Sequence, residues 1–185
     1  MTTESLADAE SRMKKSAEAL SKDLSSIRTG RANPGLVEDI LVEYGGATYP
    51  MNQLAQINVA DARLLTIQPW DPGSIPDIEK AIQTSDIGIM PGNDGKLIRL
   101  PIPALTEERR KDLVRTVKKR VEEGKIATRN VRRDVQDQIR KLQKDGEISE
   151  DEARRAQGDL QKTTDRAVGN IEEIGSRKEE DVMSV

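Results

Sequence analysis

IRTGRANPG, residues 27–35, decides how this chain is read. Before it, Leu6, Met13, Leu20 and Ile27 recur every seven residues with Ala9, Ala17 and Leu24 between them. That is the spacing of a helical seam made to pack against other helices. Gly30 is expected to stop this helix, and Pro34 with Gly35 to keep it from resuming. Beyond the break the period changes. LVEDILVEY (36–44) puts Ile40, Val42 and Tyr44 on one side, Gly45-Gly46 is a turn into ATYP, and INVA (57–60) and RLLTIQP (63–69) are short strands. IPDIEKAIQTS (75–85) has the spacing of a helix, and Asn93-Asp94-Gly95 that of a hairpin turn.

After Pro101 and Pro103 helical periodicity returns and persists nearly to the end. Thr106 can cap a helix that opens on Glu107 and Glu108, with a seam through Leu113, Val117, Val121, Thr128, Val131, Val135, Ile139 and Leu142. Gly146 ends it, and Ser149 with Glu152 forms a capping box for a last helix with the thinner seam Ala153, Ala156, Leu160, Ala167, Ile171 and Ile174. At 1.5 Å per residue the three helices would be roughly 39, 58 and 45 Å long, which only an elongated antiparallel bundle accommodates. The fold class is therefore α+β: a three-helix bundle from residues 1–30 and 106–185, with a small α+β domain, 31–105, inserted at one end. TGRANPG going out and PALT coming back make a two-strand joint, with Thr29, Gly30, Arg31, Pro103, Ala104, Leu105 and Thr106 as its hinge residues.

Composition narrows the function. Among 185 residues there is no Cys, no His and no Phe, which removes disulfides, thiolate metal sites and the commonest general base. No metal or organic cofactor is expected. With no long apolar run and no charged-then-apolar leader, a cytoplasmic protein without a membrane role is expected. The formal charge of −3 hides a partition. Residues 1–30 are balanced, 31–105 carry a net −4, 106–146 a net +6, and 147–185 a net −5. One cationic segment in an acidic protein is a candidate surface for a polyanion.

That segment contains GKIATRNVRRDVQDQIR, 124–140. With Arg129 at zero on a wheel of about 100° per residue, Lys125 falls near −40°, Arg132 near −60°, Arg133 near +40° and Arg140 near +20°. The seam lies between roughly 200° and 260°, on the far side. A solvated face laced with i,i+4 pairs is the competing explanation. Against it, arginine outnumbers lysine, and arginine is the better bidentate partner for phosphate. The only aromatics, Tyr44, Tyr49 and Trp70, lie in the insert, so no stacking platform accompanies the arginines and folded RNA suits the face better than splayed single strands. Enzyme motifs are weak: GNDGK (92–96) lacks the spacing of a phosphate loop and the following Ser or Thr.

IRTGRANP (27–34), IEKAI (78–82), SDIGI (85–89), LTEERRKDL (105–113) and RNVRRD (129–134), in this order, resemble the ribosome recycling factor family over nearly the whole chain. The resemblance implies an L-shaped, hinged molecule of tRNA-like outline, and a monomer fits a molecule that must enter a tRNA-sized space. It implies a factor that, with elongation factor G and GTP, splits post-termination ribosomes and releases messenger RNA and tRNA. It also implies that Arg129, Arg132 and Arg133 face large-subunit ribosomal RNA, with Lys125 beside them and Arg28, Arg31 and Arg110 as further contacts. For the last three, pairing with Glu107, Glu108 or the final carbonyls of the first helix is the alternative. Gly124 departs from the family, which generally has alanine there, and Gly158 and Gly169 are also unusual inside a helix. Two other classes compete: a helical protein-binding adaptor, whose binding would ignore salt and ribosomes, and a general RNA chaperone, which would need no GTPase.

Overall fold

The computed structural model describes residues 1–184; the expected bundle range ends on Val185, which lies outside the described residues. The chain divides into two compact units. The first joins Met1–Leu24 to Arg115–Glu179, and the second comprises Ser25–Val114 with the residues from Glu180 onward. The division thus falls inside two of the long helices.

The first unit is built on α1 (Thr2–Ser25), α4 (Glu107–Lys144) and α5 (Glu150–Met183). Side-chain pairs fix their directions. Arg12 reaches Asp134 and Arg120 reaches Asp23, so α4 runs antiparallel to α1; Lys125 reaches Glu172 and Arg132 reaches Gln161, so it runs antiparallel to α5 as well. The core is thin and small-residue-rich: Ala9, Met13, Val131, Val135, Ile139, Ala153, Ala156 and Leu160 are buried together. Thr128 and Thr164 are also buried, and their hydroxyls donate back to the carbonyls of Gly124 (3.0 Å) and Leu160 (2.8 Å). Each so avoids an orphaned polar atom in the interior.

The helix ends follow their sequence signals. The Arg109 N–H donates to Thr106 Oγ1 at 3.2 Å, with Glu107 and Glu108 in the first turn. At the other end Gly146 has φ +75°, the Glu147 N–H donates to Leu142 O and the Gly146 N–H to Gln143 O, which is a Schellman termination. The Ser149–Glu152 capping box is reciprocal, at 3.1 and 3.2 Å. One end differs. Helix α1 stops at Ser25, five residues before Gly30. Asn33 Nδ2 donates to the Ser25 carbonyl at 3.0 Å, and Gly35 packs so closely that a Cβ there would lie 2.7 Å from the Ser25 oxygen. The turn folds back on the helix end and takes up its carbonyl, so Asn33 and Gly35, not Gly30, set the stop.

The second unit holds the insert. Hairpin β1 (Leu41–Tyr44) and β2 (Ala47–Pro50) closes on Gly45 and Gly46, with φ of +60° and +82°. A single turn, α2 (Met51–Leu54), leads into an antiparallel sheet of order β3-β4-β6-β5, made of Ala55–Asp61, Leu64–Pro69, Ile98–Pro101 and Gly92–Asn93. Leu65 faces Leu100 and Ile67 faces Ile98 across the ladder, all fully buried; with Ile78 and Ile82 of α3 (Ile75–Thr84) they form the core. The alternate residues Thr66, Gln68 and Arg99 point the other way, so one face of the sheet is apolar and the other polar. Among the described residues no helix is long and apolar enough to cross a membrane.

Candidate nucleic-acid interface

The bundle seam is buried on one side of α4, which forces the residues about half a turn away outward. Arg129, Arg133 and Arg140 are exposed there and Arg132 is half-buried. Their neighbours separate them. Arg133 has no hydrogen-bond or ion-pair partner among the described residues. Arg129 Nη1 lies 3.5 Å from Glu122 Oε1, with both side chains about half exposed, a pair weak enough for a phosphate to displace. Arg132 leans toward α5 and donates to Gln161 Oε1 at 3.4 Å, which keeps its charge. Lys125 is placed differently: only 20% exposed, it sits 2.8 Å from Glu172 and ties α4 to α5.

Of the acids beside the cluster, Asp134 is drawn off it, turning toward α1 to receive Arg12 at 2.8 Å, whereas Asp137 lies 3.6 Å from Arg140 and offsets charge at that end of the row. The partnership with Asp134 also raises the Arg12 guanidinium above its ordinary value, so that end stays charged at any working pH. Lys118, eleven residues before Arg129, falls near −20° on the same wheel, is exposed, and extends the cationic row. The wheel could have found it had the window begun earlier. What the row can do chemically is bind anions spaced along a line; it holds no paired acid and base.

Arg28, Arg31 and Arg110 belong to the second unit. Arg28 Nη1 donates to the Ile87 carbonyl at 3.1 Å, so its partner is neither Glu107 nor Glu108 nor the end of α1. Glu107 pairs with Lys111 instead, at 3.5 Å. Arg31 is exposed and lies 3.7 Å from Asp181. The Nε atoms of Arg28 and Arg110 are buried without a hydrogen-bond partner among the described residues. Of the joint residues, Thr29 is buried, and its Oγ1 accepts from the Arg31 N–H at 3.1 Å. A Cβ on Gly30 would lie 3.9 Å from the Leu105 nitrogen, so the outgoing and returning segments run side by side there. Pro103, Ala104 and Thr106 are exposed and Leu105 is half-buried.

GNDGK forms the β5–β6 turn. Asp94 Oδ1 accepts from the N–H groups of Lys96 and Leu97 at 3.0 and 2.9 Å, so the donors a phosphate would need are turned inward onto the loop's own carboxylate.

A family model described as ribosome recycling factor matches residues 20–183. A ribosome-recycling factor of Halalkalibacterium halodurans is 54% identical over 185 residues, all of both chains, and one of Enterococcus faecalis is likewise 54% identical over the full length of both. Among solved structures, a solution structure of the ribosome recycling factor aligns with a TM-score of 0.77 at 40% identity, covering 100% of this chain and 98% of the other. A second is similar with a TM-score of 0.72 at 44% identity over all of both chains. It comes from models for the T. thermophilus ribosome recycling factor and the E. coli elongation factor G bound to the E. coli post-termination complex.

Proposed function

Because the chain belongs to the ribosome recycling factor family, we propose that it acts with elongation factor G and GTP to separate the subunits of the post-termination ribosome, so that messenger RNA and tRNA leave. The observation that carries this is similarity from end to end, at 54% identity, to curated recycling factors of the same length. It works where cytoplasmic ribosomes are.

Within that activity, Arg129, Arg132 and Arg133 take the phosphates of large-subunit ribosomal RNA, with Lys118 and Arg140 extending the row. Phosphate contacts position the protein and supply salt-dependent affinity through counterion release. Lys125, already paired with Glu172, contributes less. Arg28, Arg31 and Arg110 supply further contacts near the joint; the Nε atoms of Arg28 and Arg110 are buried, so those contacts are made through the outer guanidinium nitrogens. The working division is an arm, residues 1–30 and 106–185, and an insert, 31–105, hinged at Thr29–Arg31 and Pro103–Thr106. The insert's net −4 keeps it off RNA and offers it to a protein.

Nucleotide hydrolysis belongs to the partner GTPase; the inward-turned donors of the GNDGK loop support this. Ribosome splitting followed by light scattering tests the whole reading. Scattering should fall when the protein, elongation factor G and GTP are all present, and stay level when any one is omitted. A level trace with all three overturns the reading.

A further inference from the structure

The insert core is aliphatic, and the chain's three aromatic residues are not used to fill it. Instead two of them share a face of the hairpin, and the third adjoins in sequence the carboxylate that one of those two holds. Tyr44 donates its hydroxyl to Asp71 Oδ2, Tyr49 lies diagonally across the hairpin on the same face, and Trp70 immediately precedes Asp71. The main chain here is held firmly: the Trp70 N–H donates to Leu54 O at 3.0 Å, and Asp71 Oδ1 accepts from the Gly73 N–H at 2.9 Å. Yet the Trp70 side chain is 65% exposed, and Tyr49 37%. A solvent-facing indole on a fixed main chain is hard to account for by folding, because burial is where such area stabilises.

The charge around it is mostly of one sign. Residues 41–50 and 70–80, which contain all three aromatics, carry Glu43, Asp71, Asp77 and Glu79 against a single cation, Lys80. On the other face of β1 from Tyr44, against α3, is a shallow cleft of about 190 Å³ lined by Leu41, Glu43, Asp77, Lys80, Ala81 and Thr84. Leu41 is 62% exposed there and offers an apolar floor between two carboxylates, which fits the aliphatic stem and cationic head of a basic side chain. Asp77 borders both features, since its charge also acts on Tyr44.

We propose that this aromatic and acidic end of the insert is a docking surface for a protein segment bearing arginine and lysine. Guanidinium groups stack on Trp70 and Tyr49 and pair with Asp71 and Asp77. A nucleic acid could use the rings but would bring phosphates against four carboxylates, so the charge selects protein over RNA. The inference rests on the reading that the insert faces a protein partner, and adds which face and which chemistry.

Trp70 is the only tryptophan, so its emission reports on this surface alone. The full-length protein is titrated with a tryptophan-free peptide of alternating arginine and glycine. A saturable change in emission is expected, weakened about ten-fold by Asp71→Asn combined with Asp77→Asn and left unchanged by Asp86→Asn elsewhere on the insert. Tyr49→Ser, a separate exposed change, should weaken it as well. In the splitting assay at sub-saturating elongation factor G, Trp70→Ala with Asp77→Asn should slow the reaction by about ten-fold, with circular dichroism unchanged.

The proposal is overturned if the peptide leaves the emission unaltered, or if Asp86→Asn weakens it equally. It is also overturned if an RNA oligonucleotide gives the change in the peptide's place, or if sedimentation shows the surface occupied by a second copy of this chain. Normal splitting by the double variant would sink the docking surface and leave the recycling activity standing. Absence of splitting by the unaltered protein would sink the activity itself.

Discussion

The outer face of α4 and the aromatic end of the insert are both exposed and strongly charged, but they are assembled by different physics. On α4 a single local rule, about 100° per residue, lines up Arg129, Arg132, Arg133 and Arg140 along a rod, so the anions they suit must also be spaced along a line. In the insert, Tyr44 and Tyr49 come from a hairpin and Asp71 from just past a strand end, and only the packing of those elements lets Tyr44 reach Asp71. On the proposed reading, the first surface suits a repetitive polyanion and the second a single shaped, cationic partner.

The largest expected effect breaks the comparison on the helix side. Replacing Arg129 and Arg132 together by alanine should weaken ribosome binding about ten- to hundred-fold near physiological salt, and flatten the slope of log affinity against log salt by roughly two, one for each lost phosphate contact. Binding measured at several salt concentrations checks it. A parallel line displaced downward would mean that these arginines act on something other than phosphate. Lys125→Ala should change the slope less, because its charge is engaged by Glu172.

The bundle that carries the arginines can be probed by its glycines, with effects in opposite directions. A Cβ on Gly175 would collide with Val121 Cγ2, too close for two packed helices to absorb, so Gly175→Ala should destabilise by about 1–3 kcal/mol. At Gly124 the nearest atoms, on Ile171 and Leu20, are at 3.5 Å, an ordinary contact. Gly124→Ala should therefore stabilise by about 1 kcal/mol through backbone entropy, and Gly158→Ala, with open space around it, by a similar amount. Thermal unfolding should show Tm rising by about 2–4 °C for Gly124→Ala and falling for Gly175→Ala. A fall in both would mean that α4 approaches its neighbours more closely at Gly124 than these distances describe.

Much of the architecture was legible because helical seams and caps are local. Thr106, Gly146 and the Ser149–Glu152 pair all end or begin helices where their types imply. The stop of α1 was not, because it is made by Asn33 and Gly35 folding back on Ser25. At the candidate site the wheel placed the arginines outward correctly. It could not say which flank would meet α5, and that alone separates Lys125, tied to Glu172, from Arg133, which stands free of partners among the described residues. The aromatic surface was invisible for the same reason on a larger scale: 26 residues separate Tyr44 from Trp70, and no periodicity spans that distance.

The smallest expected effect sharpens the contrast, because arginines do not titrate in the usual range whereas the insert's surface does. The hydrogen bond from Tyr44 holds Asp71 below the usual carboxylate range, and the same bond raises Tyr44 above the ordinary phenol value. A lowered carboxylate contributes stability that is present above its unfolded value and is lost as pH falls through the folded one. A raised phenol contributes stability that is present below its unfolded value and is lost as pH rises through the folded one. The Tyr44–Asp71 bond should therefore persist across the whole interval between about pH 4 and about pH 10, and disappear at both ends. Because both groups are exposed, the effect is small, and it is best read as a difference. Unfolding of the unaltered protein and of Tyr44→Phe, compared across that interval, should show a constant small gap that closes toward each extreme, while ribosome affinity through Arg129 and Arg132 stays level. No gap at any pH would mean that Asp71 is held by the Gly73 N–H alone, and that Tyr44 is free to turn its ring toward whatever docks there.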